Sequence, residues 1–166
     1  ETIASNPPVS ADATARGGVA CVREVGKLLK IDWGTATYAV QGFGNVGHFV
    51  ALLHREMLGT SRLLAASDSG GGVYSAKGLD PAALVKHKEE TGSLHGFPGA
   101  EAISNADLLE LKVDVLYPAA IESVITQENA ARVKARVVCE MANGPSTPEA
   151  DRILHDRGVC VVPDFL

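Results

Sequence analysis

The sequence is poor in the residues that build disulfide frameworks and metal sites. It has three cysteines, Cys21, Cys139 and Cys160, which are odd in number and widely spaced among apolar neighbours. This pattern argues against a disulfide framework or a zinc site with paired ligands, and it predicts buried free thiols. The five histidines show no H-E-x-x-H or paired Cys/His spacing. We therefore predict no metal site and expect most of the histidines at the surface.

Clustered positive charge and long apolar runs are also missing. The formal net charge is −5 and the 15 Lys and Arg residues are scattered, which argues against binding to nucleic acid or to an anionic membrane. No apolar run has the length of a membrane span, and no basic segment followed by an apolar one marks a secretion signal. We therefore expect a cytoplasmic protein with neither membrane nor nucleic acid among its partners.

Common catalytic signatures are absent as well. There is no G-x-S-x-G elbow, and no cysteine has a histidine partner that the sequence identifies. The stretch GGVYSAKG fails as a phosphate-binding P-loop, because Ala76 replaces its second glycine and no Ser or Thr follows Lys77.

The chain begins with Glu1 and ends directly after an apparent strand, so we expect a piece of a longer protein.

What the sequence does contain is enough apolar residues for one domain and a regular alternation of patterns. Apolar residues make up 46% of the 166 residues. The first predicted helix is capped by Ser10 and Asp12 and ends at Leu29, and a shorter helix begins at Ser104. Further helices are predicted at 46–59, 80–90, 126–133 and 147–158. Strands are predicted at 37–40, 62–67, 113–118, 135–141 and 159–163. Segments 70–72 and 91–101 are predicted as loops. Nearly continuous apolar strands that alternate with helices indicate a mostly parallel sheet covered on both faces, a doubly wound α/β fold.

The stretch VQGFGNVGHF carries glycines with the spacing G-x-G-x-x-G between a predicted strand and a predicted helix. In that setting Gly42 permits a tight turn, Gly44 lets the main chain approach a pyrophosphate, and Gly47 lets the helix pack closely on the strand. The anion would lie at the helix N-terminus, where free N–H groups and the dipole favour negative charge. The pattern predicts a dinucleotide site.

An acidic residue is the second requirement of such a site, roughly 20 residues further on at the end of the second strand. Asp68 follows the predicted strand RLLAAS directly, where its carboxylate can accept hydrogen bonds from a ribose. An aspartate at the end of a strand often only caps a turn, so Asp68 alone supports both interpretations. Together with the glycines it favours the dinucleotide interpretation.

Several segments resemble one known family. They are VQGFGNVG, SDSGGGVY, KEETGS, GFPGAE, VDVLYPAA, ANGPSTPEAD and RGVCVVPDFL, in this order from about residue 12 to the end. Together they are similar to the cofactor-binding domain of the glutamate, leucine, phenylalanine and valine dehydrogenases, and SDSGGGVYSAKGLD with ANGPSTPEAD resembles the glutamate branch. The resemblance implies one Rossmann-type dinucleotide-binding domain over residues 1–166, with 1–32 as entry segment and leading helix.

The resemblance also implies an NAD(P)-dependent glutamate dehydrogenase, which oxidises L-glutamate to 2-oxoglutarate and ammonia by reversible hydride transfer. A preceding domain, absent from these residues, would bind the amino acid and carry the catalytic lysine and aspartate. This chain would then bind cofactor without turning over substrate. The full protein would be a homo-hexamer held mainly by the absent domain, and this part alone could be monomeric. A dehydrogenase for leucine, phenylalanine or valine, and a stand-alone nucleotide-sensing module, stay open as alternatives.

The cofactor contacts that the resemblance implies fall into three groups. The first is Phe43, Gly44, Asn45 and Val46 at the pyrophosphate, and the second is Asp68 and Ser69 at the adenosine ribose. The third is the wall of Ala119 and Ala120 beside the adenosine and nicotinamide ribose, with Asn143 and Thr14 at the nicotinamide end. Asn143 also suits a simple turn, and Thr14 suits the first turn of a helix. Two residues depart from the family: Ala15 adds a methyl group where a glycine is usual, and Met141, also in place of a glycine, either narrows the nicotinamide pocket or fills the core.

The same residues bear on the choice of cofactor. Asp68 would repel a 2′-phosphate and no arginine follows it, which predicts NAD. NADP is the alternative, since similar SDS strands occur in NADP-using members of the family and Lys77 could approach the phosphate from the loop.

Overall fold

The computed structural model describes residues 10–164. Its helices are α1 (Ala11–Leu28), α2 (Gly47–Leu58), α3 (Pro81–Thr91), α4 (Asn105–Leu109) and α5 (Pro148–Asp156), with a single 3-10 turn at Ala130–Arg132. Its strands are β1 (Thr37–Gln41), β2 (Arg62–Asp68), β3 (Gly71–Leu79), β4 (Glu101–Ile103), β5 (Val115–Pro118), β6 (Val137–Cys139) and β7 (Cys160–Val162). The mixed α/β class is as predicted.

All seven strands form one sheet in the order β4-β3-β2-β1-β5-β6-β7. β2, β1, β5, β6 and β7 are parallel, whereas β3 pairs antiparallel with β2, and β4 antiparallel with β3. Along the chain, β2, β3 and β4 therefore add in turn on one side of β1, and β5, β6 and β7 then add in turn on its other side. The strand order therefore reverses between β1 and β5. Open α/β sheets bind their ligands at such a reversal point, at the carboxyl ends of the strands.

The hairpin of β2 and β3 corrects part of the prediction that 70–72 is a loop, because Gly71 and Gly72 belong to β3 while Gly70 lies in the turn. Only Ser69 and Gly70 separate the two strands, and Gly71 begins β3 with φ +120°. A Cβ atom on Gly72 would lie 2.9 Å from the Ile103 side chain and 3.0 Å from Cβ of Ser67. Gly72 therefore allows close approach between strands. Glu101, assigned to a loop, begins β4.

Four of the helices begin at the predicted caps. The side chains of Ser10, Asp80, Ser104 and Thr147 each accept a hydrogen bond from a backbone N–H in the first turn. Asp12 lies inside the first turn of α1, so Ser10 alone is the cap.

The helix predicted at 126–133 is wrong, because only Ala130–Arg132 forms a 3-10 turn. The cause is Asn129. Its Oδ1 accepts from the Thr126 N–H at 2.8 Å, and its Nδ2 donates to the Val124 carbonyl, also at 2.8 Å. A side chain that bonds to the nearby backbone competes with a helix in this way.

Two hydrophobic clusters divide the core along β1. Tyr38 and Val40 belong to one cluster, which includes buried residues of α1, α2 and α3. Ala39, between them in sequence, belongs to the other, which includes buried residues of α4 and α5. Successive side chains of a strand point to opposite faces, so the two clusters lie on opposite faces of β1.

The cysteine and histidine predictions hold in part. All three thiols are free, but only Cys139 is buried, while Cys21 and Cys160 are half-buried. His54 is completely buried, unlike the other four histidines. Within residues 10–164 no group of three or more His, Cys, Asp or Glu residues is arranged to hold a metal ion, and no helix there is long and apolar enough to cross a membrane.

Candidate functional site

A cleft of about 730 Å³ opens at the carboxyl ends of the parallel strands, beside the reversal point between β1 and β5. Eleven of the twelve predicted site residues line it: Thr14, Gly42, Phe43, Gly44, Asn45, Val46, Asp68, Ser69, Ala119, Ala120 and Asn143. The twelfth, Gly47, lies in the first turn of α2. The folded chain therefore brings the predicted residues together from five separate stretches of sequence.

The glycine turn owes two of its glycines to packing. Gly42 has φ +96°, and a Cβ atom there would lie 2.6 Å from Ala120. A Cβ atom on Gly47 would lie 1.8 Å from the Gly42 carbonyl oxygen. Neither position has room for a side chain.

Gly44 is different, because a Cβ atom there would meet no protein atom within 4 Å. The residue is exposed at the cleft and its φ is not in the left-handed region. Protein packing therefore gives no reason for a glycine at this position. Close approach of a ligand to the main chain does give one.

The N-terminus of α2 points its dipole at this turn. Its N-cap residue, Val46, makes no side-chain hydrogen bond, and the first turn of α2 contains no acidic residue. The partial positive charge of the helix end is therefore not offset by a side chain of its own first turn. Such a helix end favours an anion.

Asp68 is held by the protein itself. Its Oδ1 accepts from the Gly70 N–H at 2.9 Å and its Oδ2 accepts from the Leu94 N–H at 2.9 Å. Burial raises the pKa of Asp68, but these two hydrogen bonds and the charge of Lys88 outweigh burial and hold the pKa below its ordinary value. Asp68 is therefore an anion that both caps a turn and lines the cleft. Oδ1 has a second lone pair, so these bonds do not exhaust the capacity of the carboxylate to accept.

Lys88 is the cleft residue of greatest chemical consequence that the sequence did not reveal. Its Nζ donates to the Phe43 carbonyl at 2.7 Å and lies 3.4 Å from Asp68 Oδ2. Lys88 thus joins the glycine turn to the acidic residue and compensates the charge of Asp68.

Lys77, which was considered for this position, lies elsewhere. β3 runs antiparallel to β2, so chain beyond Gly71 leads away from Asp68, and Lys77 lines a separate pocket. The prediction that Lys77 could approach a 2′-phosphate is therefore wrong. The sequence shows lysines on the helix that follows β3, but only the packing of α3 against the glycine turn shows which of them contacts Asp68.

Four more cleft residues were not predicted: Gln41, Asn105, Ile121 and Ala142. Gln41 is 6% exposed, and its Oε1 is buried without a hydrogen-bond partner within the described part of the chain. A buried acceptor without a partner is costly. Its place at the end of β1, in the wall of the cleft, suits a donor supplied by a ligand.

The two departures from the family pattern have separate outcomes. Ala15 is completely buried in the core and does not line the cleft, so its methyl group takes no space from a ligand. Met141 fills part of the core, which was one of the two alternatives, and its effect on the nicotinamide pocket stays a prediction. A Cβ atom added to Gly18 would lie 2.4 Å from Met141 Sδ, and Met141 Sδ lies 3.7 Å from Cys139 Sγ. Met141 also lines the cleft.

The sequence of the chain matches known proteins over almost its whole length. The profile of the Glutamate/Leucine/Phenylalanine/Valine dehydrogenase family matches residues 8–166. The glutamate dehydrogenase of Thermotoga maritima is 52% identical over 155 residues, the NADP-specific glutamate dehydrogenase A1 of Halobacterium salinarum 47% over 156, and the NAD-specific glutamate dehydrogenase of Clostridioides difficile 41% over 157. Each match covers 93% of this chain and 37% of the relative.

The fold matches a solved structure as well. The hetero-hexameric glutamate dehydrogenase of Thermus thermophilus, in its Leu-bound form, superposes with a TM-score of 0.85 at 34% identity. The match covers 94% of this chain and 36% of that one, so the chain spans little more than a third of the relatives it matches. The resemblance in the sequence motifs is confirmed: the chain belongs to the Glutamate/Leucine/Phenylalanine/Valine dehydrogenase family of oxidoreductases.

Proposed function

We propose that residues 1–166 are the NAD(P)-binding domain of a glutamate dehydrogenase, with a Rossmann-type, doubly wound sheet. Two features of the fold support the doubly wound arrangement: a hydrophobic cluster with its own helices on each face of the sheet, and the reversal of strand order between β1 and β5. Four relatives that this chain matches are all named glutamate dehydrogenases.

The open space at Gly44 is the observation that carries the cofactor proposal. A glycine that packing does not require lies between a helix N-terminus and an anionic Asp68, in a cleft large enough for a dinucleotide. The unpaired Oε1 of Gln41 agrees with it. These residues fit a ligand that brings a pyrophosphate, hydroxyl groups and hydrogen-bond donors.

Within this proposal each part of the cleft has a role. The turn of Phe43, Gly44, Asn45 and Val46 holds the pyrophosphate with its backbone N–H groups other than that of Phe43, which donates to the Ser67 carbonyl. Asp68 with Ser69 binds the adenosine ribose. Ala119 and Ala120 form the wall beside the adenosine and nicotinamide ribose, while Asn143 and Thr14 orient the nicotinamide end. When bound, the nicotinamide supplies the hydride acceptor, and this chain supplies position and electrostatics.

The activity of the whole protein is part of the proposal. It is the reversible oxidation of L-glutamate to 2-oxoglutarate and ammonia, with the catalytic lysine and aspartate on a domain outside these residues and a hexameric assembly. The coverage of 37% of the relatives and the hetero-hexamer of T. thermophilus support it. Steady-state turnover of the full-length protein on L-glutamate and on L-leucine separates it from the leucine-type alternative; a higher kcat/KM on leucine would contradict the glutamate assignment.

The choice between NAD and NADP depends on Asp68 and Lys88 together. Asp68 alone would repel a 2′-phosphate, but Lys88 at 3.4 Å cancels much of that repulsion. We propose that the cleft binds NAD and also accepts NADP, in line with relatives that are named for each cofactor.

Isothermal titration calorimetry of this chain with NAD and with NADP tests the proposal. We expect saturable binding of both, with NAD the tighter. Binding of neither cofactor would refute the cleft assignment, and tighter binding of NADP would overturn the role given to Asp68.

A further inference from the structure

A second pocket, of about 590 Å³, lies at the other end of β2 from the cleft. We call it the basic pocket, defined by Arg55, Arg62 and Lys77. Its remaining lining comes from the turn after α2 and from the end of β3, up to Asp80. It shares no residue with the cleft and has no part in the proposed cofactor site.

A bulge in β3 builds one side of the basic pocket. Leu63 pairs with Leu79 and Ala65 pairs with Tyr74, so a single residue of β2 lies opposite the four residues 75–78 of β3. The surplus chain leaves the ladder and carries Lys77 outward. Bulges that redirect a side chain in this way are found beside binding sites.

Arg62 is held in place by the same bulge. Its side chain lies across Gly78, which has φ +97° and where an added Cβ would be 3.4 Å from Cβ of Arg62. Its guanidinium donates to the Ala76 carbonyl at 2.9 Å. The arginine is therefore oriented before any ligand arrives, which lowers the entropy cost of binding.

The charges of the basic pocket are unbalanced. Arg55 pairs with Asp80 at 3.2 Å. Arg62 contacts only a neutral carbonyl group, and neither Arg62 nor Lys77 makes an ion pair within residues 10–164, although nine ion pairs form among other residues of that range. Two uncompensated positive charges thus face one pocket on a chain whose net charge is −5.

From this geometry we infer that the basic pocket binds the phosphate groups of a small polyanion, either free pyrophosphate or the diphosphate of a nucleotide. Arg62 offers a planar fork of N–H donors that matches phosphate oxygens, and Lys77 adds a mobile point charge. The volume exceeds that of a single phosphate and suits a diphosphate with part of what it is attached to.

A titration of the ¹⁵N-labelled chain with pyrophosphate at low salt, followed by two-dimensional NMR, tests the inference. We expect saturable shifts of the amides at 59–62 and 76–79. Arg62→Gln and Lys77→Gln should each weaken this binding about three- to tenfold and leave shifts at the glycine turn, 43–46, unchanged. Lys86→Gln, on the exposed face of α3 and outside the pocket, is the matched control and should bind as the unchanged chain does.

A parallel titration with ADP identifies the source of the phosphates. Half-saturation of the 59–62 shifts at a lower concentration of ADP than of pyrophosphate assigns a nucleotide, and the reverse assigns the free anion. Because NMR reports the two sites separately, failure at the cleft leaves this test intact.

Absence of saturable shifts at 59–62 with both compounds would overturn the inference. So would equal affinities in the Arg62→Gln, Lys77→Gln and Lys86→Gln variants. Unchanged spectra elsewhere in each variant show that it is folded.

Discussion

Single residues in the cleft separate what packing requires from what a ligand requires. Gly42 and Gly47 have no space for a side chain, whereas Gly44 has open space above it. Packing therefore requires two of the three glycines of the motif, and the approach of a ligand explains the third. The distinction makes the cofactor role of Gly44 testable without loss of the fold.

Replacing Gly44 by alanine should weaken binding of NAD about tenfold or more, because the added methyl group occupies the approach of the pyrophosphate. Stability should change by less than about 0.5 kcal/mol, since the methyl group meets no protein atom. Calorimetric titration and a thermal melt measure the two quantities. Gly47→Ala is the contrasting variant: its overlap with the Gly42 carbonyl should destabilise the fold by about 1–3 kcal/mol or more. NAD binding by Gly44→Ala at full affinity would contradict the proposed role.

Lys88 makes a second prediction at the residue scale. Lys88→Gln leaves the charge of Asp68 uncompensated in the cleft. We expect the affinity for NADP to fall about fivefold more than the affinity for NAD, because only NADP brings a second anion to that position. Titration of both cofactors into Lys88→Gln and into Lys86→Gln measures the ratio. An equal loss for the two cofactors would remove Lys88 from the choice between them.

Some secondary-structure elements depend on contacts within their own segment, and others depend on distant parts of the chain. The caps of α1, α3, α4 and α5 are local, because the capping side chain and the N–H that it accepts from lie two or three residues apart. The failure of the predicted helix after Thr126 is local too, since Asn129 bonds within the same turn. The antiparallel strands β3 and β4 have no such local sign. β3 pairs with β2 and β4 pairs with β3, so each of these strands depends on a partner outside its own segment.

The contact of α2 with β1 and β5 gives a prediction about pH. His54 of α2 is completely buried, stacks on Tyr38 with ring centroids 3.8 Å apart, and bonds through Nδ1 to the Tyr117 hydroxyl at 2.8 Å. Its Nε2 has no hydrogen-bond partner within the described residues. Burial lowers the pKa of His54 from 6.5 to about 3, so the folded chain keeps the ring neutral.

A pKa that is lower in the folded chain than in the unfolded chain gives stability that is complete above pH 6.5 and is lost as pH falls towards 3. Between pH 6 and pH 5 the loss should approach, and not exceed, about 1.4 kcal/mol per pH unit from this group. Urea unfolding at pH 7.5, 6 and 5 measures it. His54→Phe, which cannot be protonated, should show a flatter dependence over the same range. Equal slopes for the two chains would contradict the buried neutral imidazole.

At the scale of the whole molecule, the site is made where five chain segments meet. Thr14 comes from α1, the glycine turn from the end of β1, Asp68 from the end of β2, Ala119 and Ala120 from the end of β5, and Asn143 from the loop after β6. Parallel strands bring their carboxyl ends to one edge of the sheet, which is why residues so far apart in sequence line one cleft. The basic pocket is the counterpart at the opposite end of β2.

The sequence by itself determined the class of fold, the helix caps, the strand-turn-helix of the glycine motif and the family. These depend on short-range patterns, on backbone angles such as φ +96° at Gly42, and on motifs that stay recognisable in order along the chain. The tertiary structure alone decided that Lys88 rather than Lys77 meets Asp68, that Gln41 keeps an unpaired acceptor in the cleft, and that Arg62 and Lys77 share a second pocket. Each of these depends on which strand lies beside which and in what register, and a pattern along one segment does not contain that information.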